Sequence, residues 1–347
     1  MSFTRSDLES KNLKQLRKLC TNLQIQGRSK LKKKQDIINK ILTLQTNTVA
    51  AVKRQAKKDI HAIITITCGD VAENHTGNQQ IGNMVNIGQG FDLSDLEQAK
   101  TKFERDGYTC ELHHLNEGLK DVKHDGKQVI AEDAYVMIIR QGLDAFIGKN
   151  NAVNFFDALK DLDWDKKYFD TRRQKVLNKH ARHNLCFSTK DQEPDYPKGK
   201  GRIVSYQKVP YFERTMSQLE NFFGPKAKKL QAEGNKYYDK SKTGIGYHGD
   251  SERRKVIAWR LGSGTYGDVS GQMPIHWQWY VNRQPVGKNM KFIINSGDIY
   301  VMSEKATGND WKKTRTQVKC PSGCRNDILP TLRHAAGSKK YTTIKKK

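Results

Sequence analysis

Apolar positions first recur at helical spacing. Leu13, Leu16, Cys20 and Leu23 fall at i, i+3, i+7 and i+10, and Ile37, Ile38 and Ile41 form a second stripe after the turn residues Gly27, Arg28 and Ser29. The pattern predicts a small helical module over 1–46. The period is lost over 47–58, which reads as a linker. Further on, AIITIT (62–67) and AYVMIIR (134–140) are β-branched runs suited to buried strands. LSDLEQAKTKFERDG (93–107) reads as a helix ending at Gly107, with a strand over 108–115. This alternation predicts an α/β domain over 59–160 whose role the residues do not assign. The segment 69–82 lacks the lysine and spacing of a phosphate loop and reads as a structured connection. Over 161–347, VIAWRLG (256–262), IHWQWYV (275–281), MKFIINSGDIYVMS (290–303) and LRHAAG (332–337) predict short strands between turns. The fold class expected is α+β.

Composition sharpens the picture. The chain has 347 residues, 36% of them hydrophobic, which excludes wholesale disorder and a fibrous repeat. No run approaches the roughly 18 apolar residues of a membrane span, and MSFTRSDLES lacks the apolar middle of a signal peptide. An intracellular location is expected, at the nucleus or a site of DNA replication, with no membrane partner. Six scattered cysteines suit free thiols in a reducing compartment. Lys and Arg number 62 against 37 Asp and Glu, a formal charge of +25, which points to a polyanionic partner. Residues 1–58 hold 15 basic residues against three acids, and residues 311–347 hold 11 against one. The leucine spacing and the stretch LQIQGRSKLKKKQDIINKI resemble a SAP module, which implies DNA binding. Lys30, Lys32, Lys33 and Lys34 then suit phosphate contacts. A protein-docking module with a solvated lysine face is the alternative.

The candidate chemistry lies near the C-terminus. His248 and Asp250 are two apart, so on an extended chain both side chains project to one face and can take adjacent coordination positions. His334 supplies a third ligand after several intervening strands. Two histidines and a carboxylate on one side of a metal match the set that non-haem Fe(II) oxygenases use. Cys320 and Cys324 make only half a zinc site, and His180 and His183 lack a third ligand. Trp277, Trp279 and Tyr280 are expected to divide between core packing and base stacking, and residues 302–315, with Trp311, read as a lid.

The order of these pieces resembles the Fe(II)/2-oxoglutarate dioxygenases, and among them the AlkB-like family. AEGNKYYDKSKTGIGYHGD is similar to that family's Asn-x-Tyr, spacer and His-x-Asp; VIAWRLGS and NSGDIYVMS resemble its later strands. The resemblance covers roughly residues 180–347. It implies a C-terminal double-stranded β-helix (161–347) holding Fe(II) on His248, Asp250 and His334. Its co-substrate is 2-oxoglutarate, consumed with dioxygen and contacted by Asn235 and Tyr237. In the family's C-terminal Arg-x-Asn-x-Thr-x-Arg strand, Lys339, Thr343 and Lys345 fall on the Arg, Thr and Arg positions, while Tyr341 takes the Asn place. Arg253 and Arg254, directly after the metal motif, are expected to hold phosphate or orient a base, or to pair with neighbouring acids. The activity implied is oxidative demethylation or base hydroxylation of nucleic acid, DNA ahead of RNA. A protein hydroxylase of the same superfamily and a non-enzymatic nucleic-acid-binding protein are the alternatives.

Overall fold

The computed structural model describes residues 4–23, 25, 31–44, 62–320 and 323–344, without the side chains of 318–326. The chain divides into two compact units, Met1–Lys58 and Asp59–Lys347.

The first unit is helical, as the apolar spacing predicts. Helix α1 (Arg5–Glu9) is capped by Thr4 with Asp7, and α2 (Leu13–Asn22) by Asn12 with Gln15, each pair satisfying two backbone amides that a helix start leaves open. A third helix, α3, runs over 34–44. Leu8, Leu16, Cys20, Ile25, Ile37, Ile38 and Ile41 are buried together, so the predicted stripes meet in a core of their own. Lys32 and Lys33 are exposed just before α3, and exposed Lys34 begins it; Lys30, the 27–29 turn and the 47–58 linker lie outside the described residues.

The second unit is built on two sheets. The strands of these two sheets, beside four small two-stranded hairpins among the described residues, are β1 (Ile63–Gly69), β2 (Cys110–His114), β3 (Tyr135–Ile139), β4 (His183–Ser188), β5 (Ile203–Ser205), β6 (Gln231–Tyr237), β7 (Gly244–His248), β8 (Val256–Gly262), β9 (Met273–Val281), β10 (Gln284–Ile294), β11 (Ile299–Met302) and β12 (Thr331–Gly337). An eight-stranded sheet runs β5-β4-β6-β1-β8-β11-β3-β2, and a four-stranded sheet runs β7-β12-β9-β10. Pairing within both is antiparallel except between β4 and β5.

Strand alternation assigns the faces. Ile64, Ile66, Ile257, Trp259 and Leu261 meet Phe103, Phe156 and Leu219, so helices Leu93–Arg105, Ala152–Lys160 and Phe212–Phe223 cover one face of the large sheet. Val136, Ile138, Val256 and Ala258 on its other face meet Ile275, Trp277, Trp279 and Leu332 of the small sheet. Each large apolar side chain fully buried there contributes roughly 1.5–3 kcal/mol. Trp277 and Trp279 are wholly buried, so both belong to the core and neither is a stacking surface.

The expected boundary at 160 is absent. β1 lies between β6 and β8, and β3 pairs with β11, so residues 62–160 supply central strands of the sheet that β6, β8 and β11 build. Contiguous alternation of strand and helix looks like a separate domain in sequence; long-range pairing merges it with the rest. Among the described residues no helix is long and apolar enough to cross a membrane.

Candidate metal centre

β7 and β12 pair antiparallel with His248 opposite His334, and a register shift in β7 between Ile245 and His248 brings both imidazoles to the inner face of the small sheet. Asp250 follows His248 by two residues, and its backbone N–H donates to the Thr307 carbonyl at 2.9 Å. The intervening Gly249 is required by space: a Cβ there would meet the Gly308 carbonyl oxygen at 1.9 Å. The result is a cluster in which one ligand atom from each of His248, Asp250 and His334 lies within 4.8 Å of the others. The His248 Nε2 and His334 Nε2 atoms stand 3.7 and 3.6 Å from Asp250 Oδ1.

Protonation favours ligation. His248 Nδ1 lies 2.8 Å from the Gly246 carbonyl, an acceptor only, so Nδ1 carries the proton and the Nε2 lone pair faces Asp250. Desolvation, then the neighbouring His334, holds the His248 pKa down at about 3; desolvation with the Arg253 charge does the same for His334. Both rings are therefore neutral at pH 7, and neither forms an ion pair with Asp250. Burial pushes the Asp250 carboxyl upward, opposed mainly by Arg253. His334 Nδ1 is buried without a hydrogen-bond partner, and its ring packs 4.4 Å from that of His248. An oxygen and two neutral imidazole nitrogens converging from two strands suit a divalent transition metal.

A cavity of about 470 Å³ opens beside the cluster. Asn235 and Tyr237 line it from β6. Asn235 Oδ1 accepts from Arg182 Nε at 2.6 Å and from Asn184 Nδ2 at 2.7 Å. Glu73, Asn74, His75 and Thr76 also line it, so the 69–82 connection forms part of the cavity wall. Burial, with the nearby Glu252 charge, raises the Glu73 pKa to about 7.

Several expected site residues are engaged differently from the expectation, although Arg253 and Trp311 do line the cavity. Arg253 is 2% exposed and pairs with Glu233 at 2.8 Å and Glu252 at 3.0 Å. Arg254 is also buried, near Glu304 at 3.5 Å and donating to Asn309 at 2.9 Å. Their charges are satisfied by the protein itself, so neither is presented to a phosphate. Lys339 is exposed on a short helix, Lys339–Thr342, in place of the expected strand. Gly337, at φ 103°, turns the chain away after β12. Neither Lys339 nor Thr343 lines the cavity, and Lys345 lies outside the described residues. The expected lid is a packed connection: Lys305 is buried against Asp310 at 2.6 Å, and Trp311 Nε1 donates to Ser251 Oγ at 2.9 Å.

The sequence pattern does not single out Arg260, which the fold makes prominent. It is 1% exposed in the interior between the sheets, where Nη1 donates to Thr65 Oγ1 at 2.6 Å while Nε and Nη2 have no hydrogen-bond partner. Thr65, Tyr237 and Tyr300 line the cavity, and the two tyrosines are close enough for their fields to act on this guanidinium. A buried, half-satisfied cation beside a cavity calls for an anion. Its sequence signal is a lone arginine in VIAWRLG, sharing strand parity with the inward-facing Val256 and Ala258.

Comparison with known proteins adds two findings. Residues 7–48 match the family described as Rho termination factor, N-terminal domain. Over 283 residues, 82% of this chain and 98% of the relative, the sequence is 40% identical to Uncharacterized protein R156 of Acanthamoeba polyphaga mimivirus. With that identity across nearly the whole relative, the chain belongs to the family of mimivirus protein R156.

Proposed function

We propose that this protein is an Fe(II)- and 2-oxoglutarate-dependent dioxygenase acting on nucleic acid, and that its two packed sheets are a double-stranded β-helix. The observation that carries the reading is the convergence of neutral His248 and His334 with Asp250 at the wall of an open cavity. When bound there, iron with dioxygen and 2-oxoglutarate supplies oxidation of a substrate C–H bond coupled to conversion of the co-substrate to succinate and carbon dioxide.

The chain's own residues do the rest. His248 and His334 offer nitrogen lone pairs that no proton contests at neutral pH, and Asp250 offers charge. Arg260 supplies the buried cation for the co-substrate's distal carboxylate, the role that the resemblance gives to Lys339 and Lys345, with the Thr65 and Tyr300 hydroxyls beside it. Asn235 and Tyr237 orient the co-substrate from β6, and the Glu233–Arg253 pair holds the loop that carries Asp250. Nucleic acid as substrate is supported by the +25 charge, by the exposed Lys32, Lys33 and Lys34, and by the match of residues 7–48 to a termination-factor domain.

The test is anaerobic loading with Fe(II) and 2-oxoglutarate, then oxygen, with succinate measured in the presence of single-stranded DNA, duplex DNA, RNA or no polymer. Succinate that rises with one polymer and disappears in His248→Ala is expected. Absence of both succinate and iron binding sinks the reading; succinate indifferent to every polymer removes nucleic acid from it.

A further inference from the structure

The residues beside the metal ligands build a second site on the opposite face of the same sheet. Strand alternation that turns His248 and His334 inward turns Tyr247 and Arg333 outward, and Tyr280 follows inward-facing Trp279 on the strand between β12 and β10. These three, with Trp311, line a groove of about 710 Å³. The Arg333 guanidinium carbon lies 4.0 Å from the Tyr280 ring centre and 5.1 Å from that of Trp311, which keeps the plane fixed between two aromatic surfaces. Lys312 Nζ stands 5.3 Å from the Trp311 ring and Lys340 Nζ 5.5 Å from that of Tyr341. Arg283, Lys312, Arg333 and Lys340 all line the groove, and among the described residues no Asp or Glu does.

Four cations without a carboxylate select a polyanion. Aromatic faces interleaved with them select one whose bases are unpaired and free to stack. The groove and the metal cavity also share Gly246, Tyr247, Trp311 and Lys312 as lining residues, so they meet at one rim. We propose that the groove formed by Tyr247, Tyr280, Trp311 and Arg333 binds single-stranded nucleic acid and passes one nucleotide over the shared rim to the metal cavity.

This deepens the proposed function and rests on its nucleic-acid part alone, because binding in the groove requires no metal. The test uses the full chain with single-stranded DNA and RNA oligonucleotides carrying 5-iodouracil or 4-thiouracil, and a duplex of the same sequence. Photo-crosslinked peptides are mapped by mass spectrometry. Crosslinks at Tyr247, Tyr280, Trp311 or Tyr341 with a single strand are expected, the better of the DNA and RNA arms naming the polymer. The double variant Arg283→Glu, Lys340→Glu alters only exposed side chains that line the groove and not the metal cavity, and should cut those crosslinks at least tenfold. It should also flatten the salt dependence of binding by about 0.7 in log–log slope for each phosphate that the variant no longer neutralises, and leave Co(II) binding at His248, Asp250 and His334 unchanged. Arg333→Gln, which removes the charge but keeps a polar side chain, should lower the crosslink yield as well. Crosslinks confined to residues 5–44, equal yields with duplex, or undiminished yields in the double variant overturn the proposal. Each of those outcomes leaves the succinate assay to decide the dioxygenase reading separately.

Discussion

The two faces of β7 and β12 carry opposite chemistries. On the inner face, His248 and His334 are desolvated, uncharged and aimed at a carboxylate. One residue away on the outer face, Tyr247 and Arg333 border a groove rich in positive charge. Neighbouring strand residues face opposite ways, so adjacent positions carry both chemistries, and on β7 the register shift before His248 sets which of them faces in. Burial then decides which charges survive. Cations on the inner side are kept only where carboxylates or hydroxyls answer them, as Glu233 answers Arg253; those on the outer side need no internal partner because water screens them.

The comparison breaks most decisively at the inner face. Asp250→Ala or His334→Ala should weaken Co(II) or Fe(II) binding by more than about a hundredfold in calorimetry, beyond the tenfold to hundredfold that supporting residues cost. An unchanged metal affinity would remove the inner face from the chemistry. Arg253→Met should be the largest stability loss, about 3–5 kcal/mol in urea unfolding, because it leaves Glu233 buried without its partner. Arg260→Leu should behave differently, since it removes a buried cation that has only one hydroxyl partner. Folding stability should change by less than about 1.5 kcal/mol, while binding of 2-oxoglutarate to the metal-loaded protein weakens at least tenfold. Retained affinity would return the carboxylate role to another cation, Arg182 first, which lines the same cavity.

Acid sharpens the contrast more gently. The folded-state pKa of about 3 for His248 and His334 lies below the ordinary 6.5, so the unfolded chain binds more protons between those values. The stability that these two rings contribute to the metal-free protein is therefore complete above pH 6.5 and is lost as pH falls towards 3. His75 and His183, both lowered to about 4 chiefly by burial, add to the same slope. Glu73 contributes an opposite slope, because its raised pKa of about 7 favours folding as pH falls through that value. Urea titrations across this range should show the decline, with a shallower slope in His248→Ala. A profile as steep in His248→Ala as in the native protein would mean that this ring is not desolvated. Lys340→Glu alone, in the outer groove, should leave stability within about 0.5 kcal/mol and affect only oligonucleotide binding.

Local pattern determined a good deal. The leucine and isoleucine spacing of 13–41 specified the helical core, Asp92 and Asp95 cap the predicted helix at Leu93–Arg105, and the His248-x-Asp250 spacing marks two of the three members of the cluster. Such features depend on neighbours within a few residues, and periodicity expresses them directly. Other features had no local signature. That 62–160 belongs to the large sheet follows from the pairing of β1 with β6 and β8, which spans more than 160 residues of chain. Arg253 and Arg254 look like phosphate ligands in a basic stretch, and only the positions of Glu233, Glu304 and Asn309 give them partners inside the protein. Lys339 resembles a co-substrate ligand by position, yet Gly337 turns the chain out of the sheet, whereas Arg260, 79 residues earlier, is a cation buried beside the cavity. Sequence determined which residues can be apolar, charged or metal-binding and which share a strand face. Tertiary structure alone decided which charges are desolvated and which partners they meet, because desolvation is set by everything packed around a group and not by its neighbours in the chain.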